Sequence, residues 1–446
     1  MNDFIDRPRF TCALGGALFT LRALKGVVPI IHAGSGCGYN LYLATNAGAG
    51  YLGGGCCGGA GWSSSNVLEE DIVFGGEDRL REQIKSTIDL MESELYVVVS
   101  GCSVEMIGDD IVSVAAEAAQ KGYPVLAVPT PGFAGDSFTG YDLILAGLFK
   151  GYLAKGLAKR PEVVNLWGLV PGQDVFYKGN LREIKRLLSR LGIKANTFFG
   201  EGETLADLKE AGRAGLNLVL SDVYGQAAAK VFEETHGTPY LTLAPPVGAL
   251  QSRAFLAAIS EALGLGEDLV SRVVSEEEER YFDYLGRVAD IYNDVDLQRY
   301  ALVIGDANYA PAVTRFLADE LGHIPALSMV TDQLGEEQRL RVAGRFQGFA
   351  SGLAPAVRFD PHASSFRTYL QEIHPPDQNQ RYYDGLGPAF MVGSVLERDL
   401  AAERGWPLMI MSFPATNRVV FQESRMGYDG GLNMAAELFS LLVSGR

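Results

Sequence analysis

Short apolar runs alternate with amphipathic stretches along almost the whole chain. The runs Val27–Ile31, Leu95–Val99, Val125–Val128, Val163–Leu169, Ala195–Phe199, Leu216–Leu220 and Thr238–Leu243 read as strands. So do a run opening at Tyr300 and the runs Ala326–Met329, Ala389–Val392 and Leu408–Ser412. Between them the polarity pattern predicts helices over Asp78–Met91, Asp109–Lys121, Asn180–Leu191, Ser252–Leu263, Glu276–Tyr292 and Leu432–Val443. Uninterrupted β-branched runs belong to parallel strands covered on both faces, and repeated strand–helix crossovers wind such sheets doubly. The expected fold is therefore α/β, with three Rossmann-like, doubly wound parallel-sheet domains over residues 1–160, 161–297 and 298–446. The last helix is expected to return to the core. The run Glu276-Glu277-Glu278-Glu279-Arg280 is expected to be a solvated helix face.

Composition narrows the class. The chain has 446 residues, 47% hydrophobic and 21% charged, which suits several ordinary domain cores. No apolar run approaches the roughly 20 residues that span a bilayer. Met1–Asp6 carries neither a basic nor an apolar leader, so a cytoplasmic location is expected. The net charge of −16 argues against a nucleic-acid backbone as partner and suits docking to other proteins. Five cysteines do not make a disulfide framework in a chain of this length and point to metal or redox use. Gly305-Asp306 at a strand end is weak support for a nucleotide; with no G-x-G-x-x-G or Walker loop, no nucleotide site is assigned.

Three of the cysteines share a context. Cys37 lies in His32-Ala33-Gly34-Ser35-Gly36-Cys37-Gly38, after a strand and at the start of a predicted helix. There the helix N-terminus favours a thiolate over a thiol. Cys102 follows Val97-Val98-Val99-Ser100-Gly101 in the same way, and Cys12 lies in the small-residue turn Cys12-Ala13-Leu14-Gly15-Gly16-Ala17. Such a set suits an iron–sulfur cluster at one edge of a sheet. Four cysteines would point to a self-contained cluster; three point to a partner chain that supplies the rest. The glycine-rich stretch 46–62 carries Cys56 and Cys57, either incidental thiols of a surface loop or residues near a cluster or subunit interface.

These contexts, with spacings of 25 residues from Cys12 to Cys37 and 65 from Cys37 to Cys102, resemble the P-cluster cysteines of the nitrogenase component 1 superfamily. The likeness continues through Glu69–Gly76, Ile107–Ile111, Pro129–Gly135 and Gly427–Gly431. It implies that Cys12, Cys37 and Cys102 ligate a P-cluster-type [8Fe–7S] cluster shared with a homologous α-type subunit in an α2β2 heterotetramer. An ATP-dependent iron protein would supply the electrons. α-type chains hold a catalytic cofactor with a mid-chain cysteine and a C-terminal histidine. Here no cysteine follows Cys102 and no histidine lies within Met411–Gly427, so the resemblance implies a β-type subunit with its active site in the partner chain and no catalytic residues of its own. Leu243–Gln251 and Ser412–Arg418 look β-type as well. The substrate would be N2 or, given the divergences, a carbon–sulfur compound as in the methylthio-alkane reductases. Two divergences stand out: Asp71–Gly76 has α-type wording, and Gly132 stands where molybdenum-type β chains place a serine that ligates the oxidised cluster. The rival readings are a tetrapyrrole-reducing relative with a [4Fe–4S] cluster and a non-catalytic scaffold for cofactor assembly. His32 is read as a packed histidine or as a hydrogen-bond partner behind Cys37. Ser100 and Ser103 are read as donors to cluster sulfurs.

Overall fold

A computed structural model describes residues 4–50, 61–292, 297–374 and 386–444. Three parallel sheets carry the chain. The first has the order β2-β1-β3-β4, from β1 (Val27–His32), β2 (Ser63–Ser64), β3 (Leu95–Ser100) and β4 (Val125–Val128). The second, β6-β5-β7-β8, uses β5 (Arg160–Trp167), β6 (Lys194–Asn196), β7 (Ala214–Val219) and β8 (Tyr240–Thr242). The third, β11-β10-β9-β12-β13, uses β9 (Tyr300–Gly305), β10 (Ile324–Val330), β11 (Ala356–Phe359), β12 (Ala389–Gly393) and β13 (Leu408–Ile410). Every pairing between these strands is parallel, as the apolar runs require.

In the first sheet, Val28, Ile30, Tyr96 and Val98 pack on the helices Glu77–Leu90 and Ile111–Gln120 through Leu80, Ile84, Ile111 and Val114. Ile31, Val97 and Val99 face the other way, into the large core that takes in the helices Ala13–Ala23 and Ser137–Gly151. The C-terminal helix, Gly427–Ser444, packs against Tyr177–Arg190, Gly248–Leu263 and Glu267–Gly286, so the end of the chain does return to the core.

Three local expectations are corrected. Cys12–Ala17 is not a turn: Ala13–Ala23 is a helix, and Gly15 and Gly16 are tolerated in it because neighbouring chain comes too close for a side chain. A Cβ on Gly16 would lie 1.9 Å from the Ser137 carbonyl oxygen. The helix expected over Glu276–Tyr292 spans Glu267–Gly286, with a separate turn at Ala289–Tyr292. Its acidic run is not wholly solvated, for Glu277 is 1% exposed. Burial opposes its ionisation, but hydrogen bonds from Arg186, Arg280 and Arg190 outweigh burial and hold its carboxyl at about 2.

His323 gives a measurable pH dependence. It packs edge-on against Phe390, ring centroids 4.8 Å apart, and neither ring nitrogen has a hydrogen-bond partner among the described residues. Burial, and then the Arg299 charge, pull its pKa from 6.5 down to about 3. Below pH 6.5 the unfolded chain takes up a proton that the folded chain refuses, so this residue's contribution to stability falls as the pH drops towards 3. The expected loss is about 2 kcal/mol at pH 5. His323→Phe should remove about that much of the difference between urea-unfolding free energies measured at pH 7 and pH 5.

Candidate metal centre

Strand order sets the place of the centre. In β2-β1-β3-β4 the connections leave β1 and β3 in opposite directions, which opens a crevice at their carboxyl ends. Cys37 and Cys102 both lie there. His32 and Ser100 close the two strands side by side, and the Gly101 N–H donates to the His32 carbonyl at 2.9 Å. Gly101 must be small, because a Cβ there would stand 2.6 Å from that of Ala33. Cys102 is the first residue of the helix Cys102–Ile107, and Cys37 is the third residue of the helix Ser35–Leu43.

Cys12 arrives by another route, as the N-cap of the helix Ala13–Ala23. That helix lies against Ser137–Gly151 at near-backbone distance: a Cβ on Gly140 would fall 1.9 Å from the Ala13 carbonyl oxygen. Cys12 bridges to Asp136, and the Ala13 N–H donates to the Gly135 carbonyl at 2.9 Å. The loop after β4 is pinned in turn, with the Thr130 N–H donating to Ser100 Oγ at 2.9 Å and Thr130 Oγ1 donating to the Ser100 carbonyl at 3.2 Å.

The two routes meet at Gly132. A Cβ there would stand 2.9 Å from Cys102 Sγ and 3.3 Å from Cys12 Sγ, so both sulfurs border the space that its missing side chain leaves. Cys37 completes the set. Burial, followed by the nearby sulfurs of Cys12 and Cys102, pushes its thiol up, the reverse of what its place in the first turn of a helix would do alone. No cation is among the causes of that shift, and three gathered thiolates would repel one another unless a cation lay among them. Cys12 and Cys102 are exposed and Cys37 is half-buried, so the set opens to the surface. Among the described residues no three His, Cys, Asp or Glu side chains are placed to grip one ion. An all-sulfur set around a multi-iron cluster has no such need, since each sulfur meets its own iron.

Behind the sulfurs lies a polar knot. Asp109 accepts from Gly76 N–H through both oxygens, at 3.0 and 3.1 Å, and from His32 Nε2 at 3.0 Å. His32 Nδ1 lies 2.9 Å from Ser65 Oγ. Both ring nitrogens are thus engaged away from the cysteines, and burial lowers the pKa of the ring and keeps it neutral. His32 is therefore a packed histidine. Asp71 accepts from Arg79 at 2.7 Å, and Asp110 caps the next helix by accepting from Ser113 N–H at 2.9 Å. Together these contacts explain physically why the stretches 69–76 and 107–111 carry the wording they do. Ser100 Oγ accepts from the Thr130 N–H. Cys56 and Cys57 lie outside the described residues.

A feature that the sequence reading missed surrounds the cysteines. The elements that carry them, or that lie beside them, also carry large exposed apolar side chains: Tyr39 and Leu43, Met106, Phe133, and Val73 and Phe74 on a helix packed against Cys102–Ile107. Phe74 is 87% and Met106 77% exposed. Grouped exposed apolar residues of this kind mark an interaction surface.

The profile of the nitrogenase component 1 type oxidoreductases matches residues 12–442. The nitrogenase molybdenum-iron protein beta chain of Clostridium pasteurianum is 23% identical, over 98% of this chain and 93% of its own length. The nitrogenase iron-iron protein beta chain of Rhodobacter capsulatus is also 23% identical, over 98% of this chain and 94% of its own. The vanadium-iron protein beta chain of Trichormus variabilis is 26% identical over 71% of this chain and 75% of its own. A solved structure titled "Nitrogenase Cp1 at pH 6.5" superposes with a TM-score of 0.82 at 21% identity, covering 100% of this chain and 94% of that one, and so shares the fold.

Proposed function

The chain belongs to the nitrogenase component 1 type oxidoreductases as a β-type subunit, and on that premise we propose that it relays electrons through an iron–sulfur cluster to a cofactor in a homologous α-type partner. The observation that carries this reading is the gathering of three free thiols, Cys12 and Cys102 at Gly132 and Cys37 close enough to feel both, within an exposed apolar rim. Cys12, Cys37 and Cys102 would hold this chain's half of a P-cluster-type [8Fe–7S] centre. When bound, such a cluster supplies one-electron transfer. The chain's own part is to fix the three sulfurs, to keep His32 neutral and turned away from them, and to exclude water when the rim is covered. An ATP-dependent iron protein is the proposed electron donor, and α2β2 the proposed assembly.

The substrate proposed is a carbon–sulfur compound of the methylthio-alkane type, with N2 as the alternative. Identity to the molybdenum, iron-only and vanadium β chains is alike, 23–26%, so likeness does not draw this chain to any one of them. Gly132 supports the divergence. A serine there would meet the sulfurs directly, its Cβ 2.9 Å from Cys102 Sγ, so the site as it stands is shaped for glycine.

Co-purification with the α-type partner and an iron count test the reading. About eight irons per shared cluster support it, about four favour a [4Fe–4S] tetrapyrrole-type reductase, and a complex that passes on its cofactor but reduces nothing points to a scaffold. Gly132→Ser offers a second check. Its Cβ would press on Cys102 Sγ and bring an oxygen beside the sulfurs as they give way, and a hard oxygen donor favours the oxidised iron. The midpoint potential in an EPR-monitored redox titration should fall.

A further inference from the structure

We infer that a cleft between the N-terminal helix and the loop after β5 binds a small oxyanion. The cleft has a volume of about 100 Å3 and is lined by Phe19, Arg22, Thr45, Gly172, Tyr177 and Lys178, among others. A space of this size holds several waters or one phosphate, sulfate or carboxylate group.

One group in it lacks the partner its chemistry calls for among the described residues, and two more donors stand beside it. Arg22 is half-buried, yet no carboxylate pairs with it among the described residues. Among the described residues its Nη1 donates to the neutral oxygens Thr45 Oγ1 at 3.1 Å and Asn46 Oδ1 at 3.2 Å. These bonds orient the guanidinium and leave its charge uncompensated. Arg22 stands in the last turn of Ala13–Ala23, where a cation offsets the helix dipole. That role alone would not draw the head group onto Thr45 and Asn46.

Tyr177 is 6% exposed and lines the cleft, so its ring is fixed there, and its hydroxyl is a donor that an anion in the cleft would accept from. Lys178 adds a second cation, its Nζ 6.0 Å from the Tyr177 ring centroid. The carboxylate nearest in chain, Asp174, is occupied elsewhere. It accepts from Phe176 N–H at 2.8 Å, Asn180 at 3.0 Å and Tyr309 Oη at 3.0 Å. A planar guanidinium, a phenol and an ammonium around one small space make a recognition set for an oxyanion.

An anion there would bridge the helix Ala13–Ala23, capped by Cys12, to the start of the helix Tyr177–Arg190, and so would raise thermal stability. The test uses the purified complex in chloride buffer at constant ionic strength, with inorganic phosphate, sulfate or acetate added. A saturable rise in melting temperature with any of the three is expected, and preference between the tetrahedral anions and acetate identifies the class. Arg22→Gln should weaken that binding at least about tenfold and Tyr177→Phe about fivefold. No saturable response, or one that both variants leave unchanged, overturns the inference. Tyr177→Phe keeps the buried ring, so it decides the matter even where Arg22→Gln does not fold.

Discussion

Replacing Cys37 with alanine is expected to strip iron from the complex and to lower reductase activity by at least about a hundredfold, the upper end of what is lost when a residue merely supporting a ligand is removed. Cys37 is the most shielded of the three thiols, and both of the others act on it electrostatically. Its removal leaves Cys12 and Cys102 as exposed sulfurs that share no buried third donor. Folding should survive, because position 37 is inside a helix and alanine is the better helix former. The far-ultraviolet circular dichroism should therefore be unchanged while the iron count drops. Because the proposed cluster joins two chains, the variant should also dissociate more readily from its α-type partner in size-exclusion chromatography. Full iron content and full activity in this variant would end the cluster assignment.

How much of this was legible in the chain follows from the range of each interaction. β1, β3 and β4 were readable because strands buried on both faces are continuous apolar runs, and Cys37 and Cys102 were readable because they follow such runs immediately. Cys12 is different. It reaches the others by a helix whose glycines look like helix breakers until Ser137 and Ala13 are seen pressing on Gly16 and Gly140. Its grouping with the others was read from a small-residue turn that is in fact a helix, and from the family resemblance. The direction of the Cys37 shift was misread because a helix N-terminus is visible in sequence, whereas burial and two sulfurs from distant segments are not. Glu277 shows the same limit: an acidic run looks solvated until Arg186 and Arg190, far back in the chain, bury one of its members.

The largest stability effect is expected where the N-terminal segment crosses to the third sheet. Arg9 and Glu397, 4% and 3% exposed, form a two-pronged ion pair across almost the whole chain. Nη1 donates to Glu397 Oε2 at 2.9 Å and to Ser394 Oγ at 2.5 Å, and Nη2 donates to Glu397 Oε1. Arg9→Met removes the cation and leaves a buried carboxylate whose remaining donors are the N–H and hydroxyl of Ser394, at a cost of about 3–5 kcal/mol. Arg9→Met with Glu397→Leu should recover most of the loss, because an apolar pair of similar size incurs no charge-burial cost. Urea unfolding of the single and double variants measures both. Arg9 lies three residues before Cys12 in the sequence, so the single variant should also hold its iron less firmly under chelator challenge than the double variant does. Equal iron retention in the two would separate the ion pair's contribution to stability from any part in positioning Cys12.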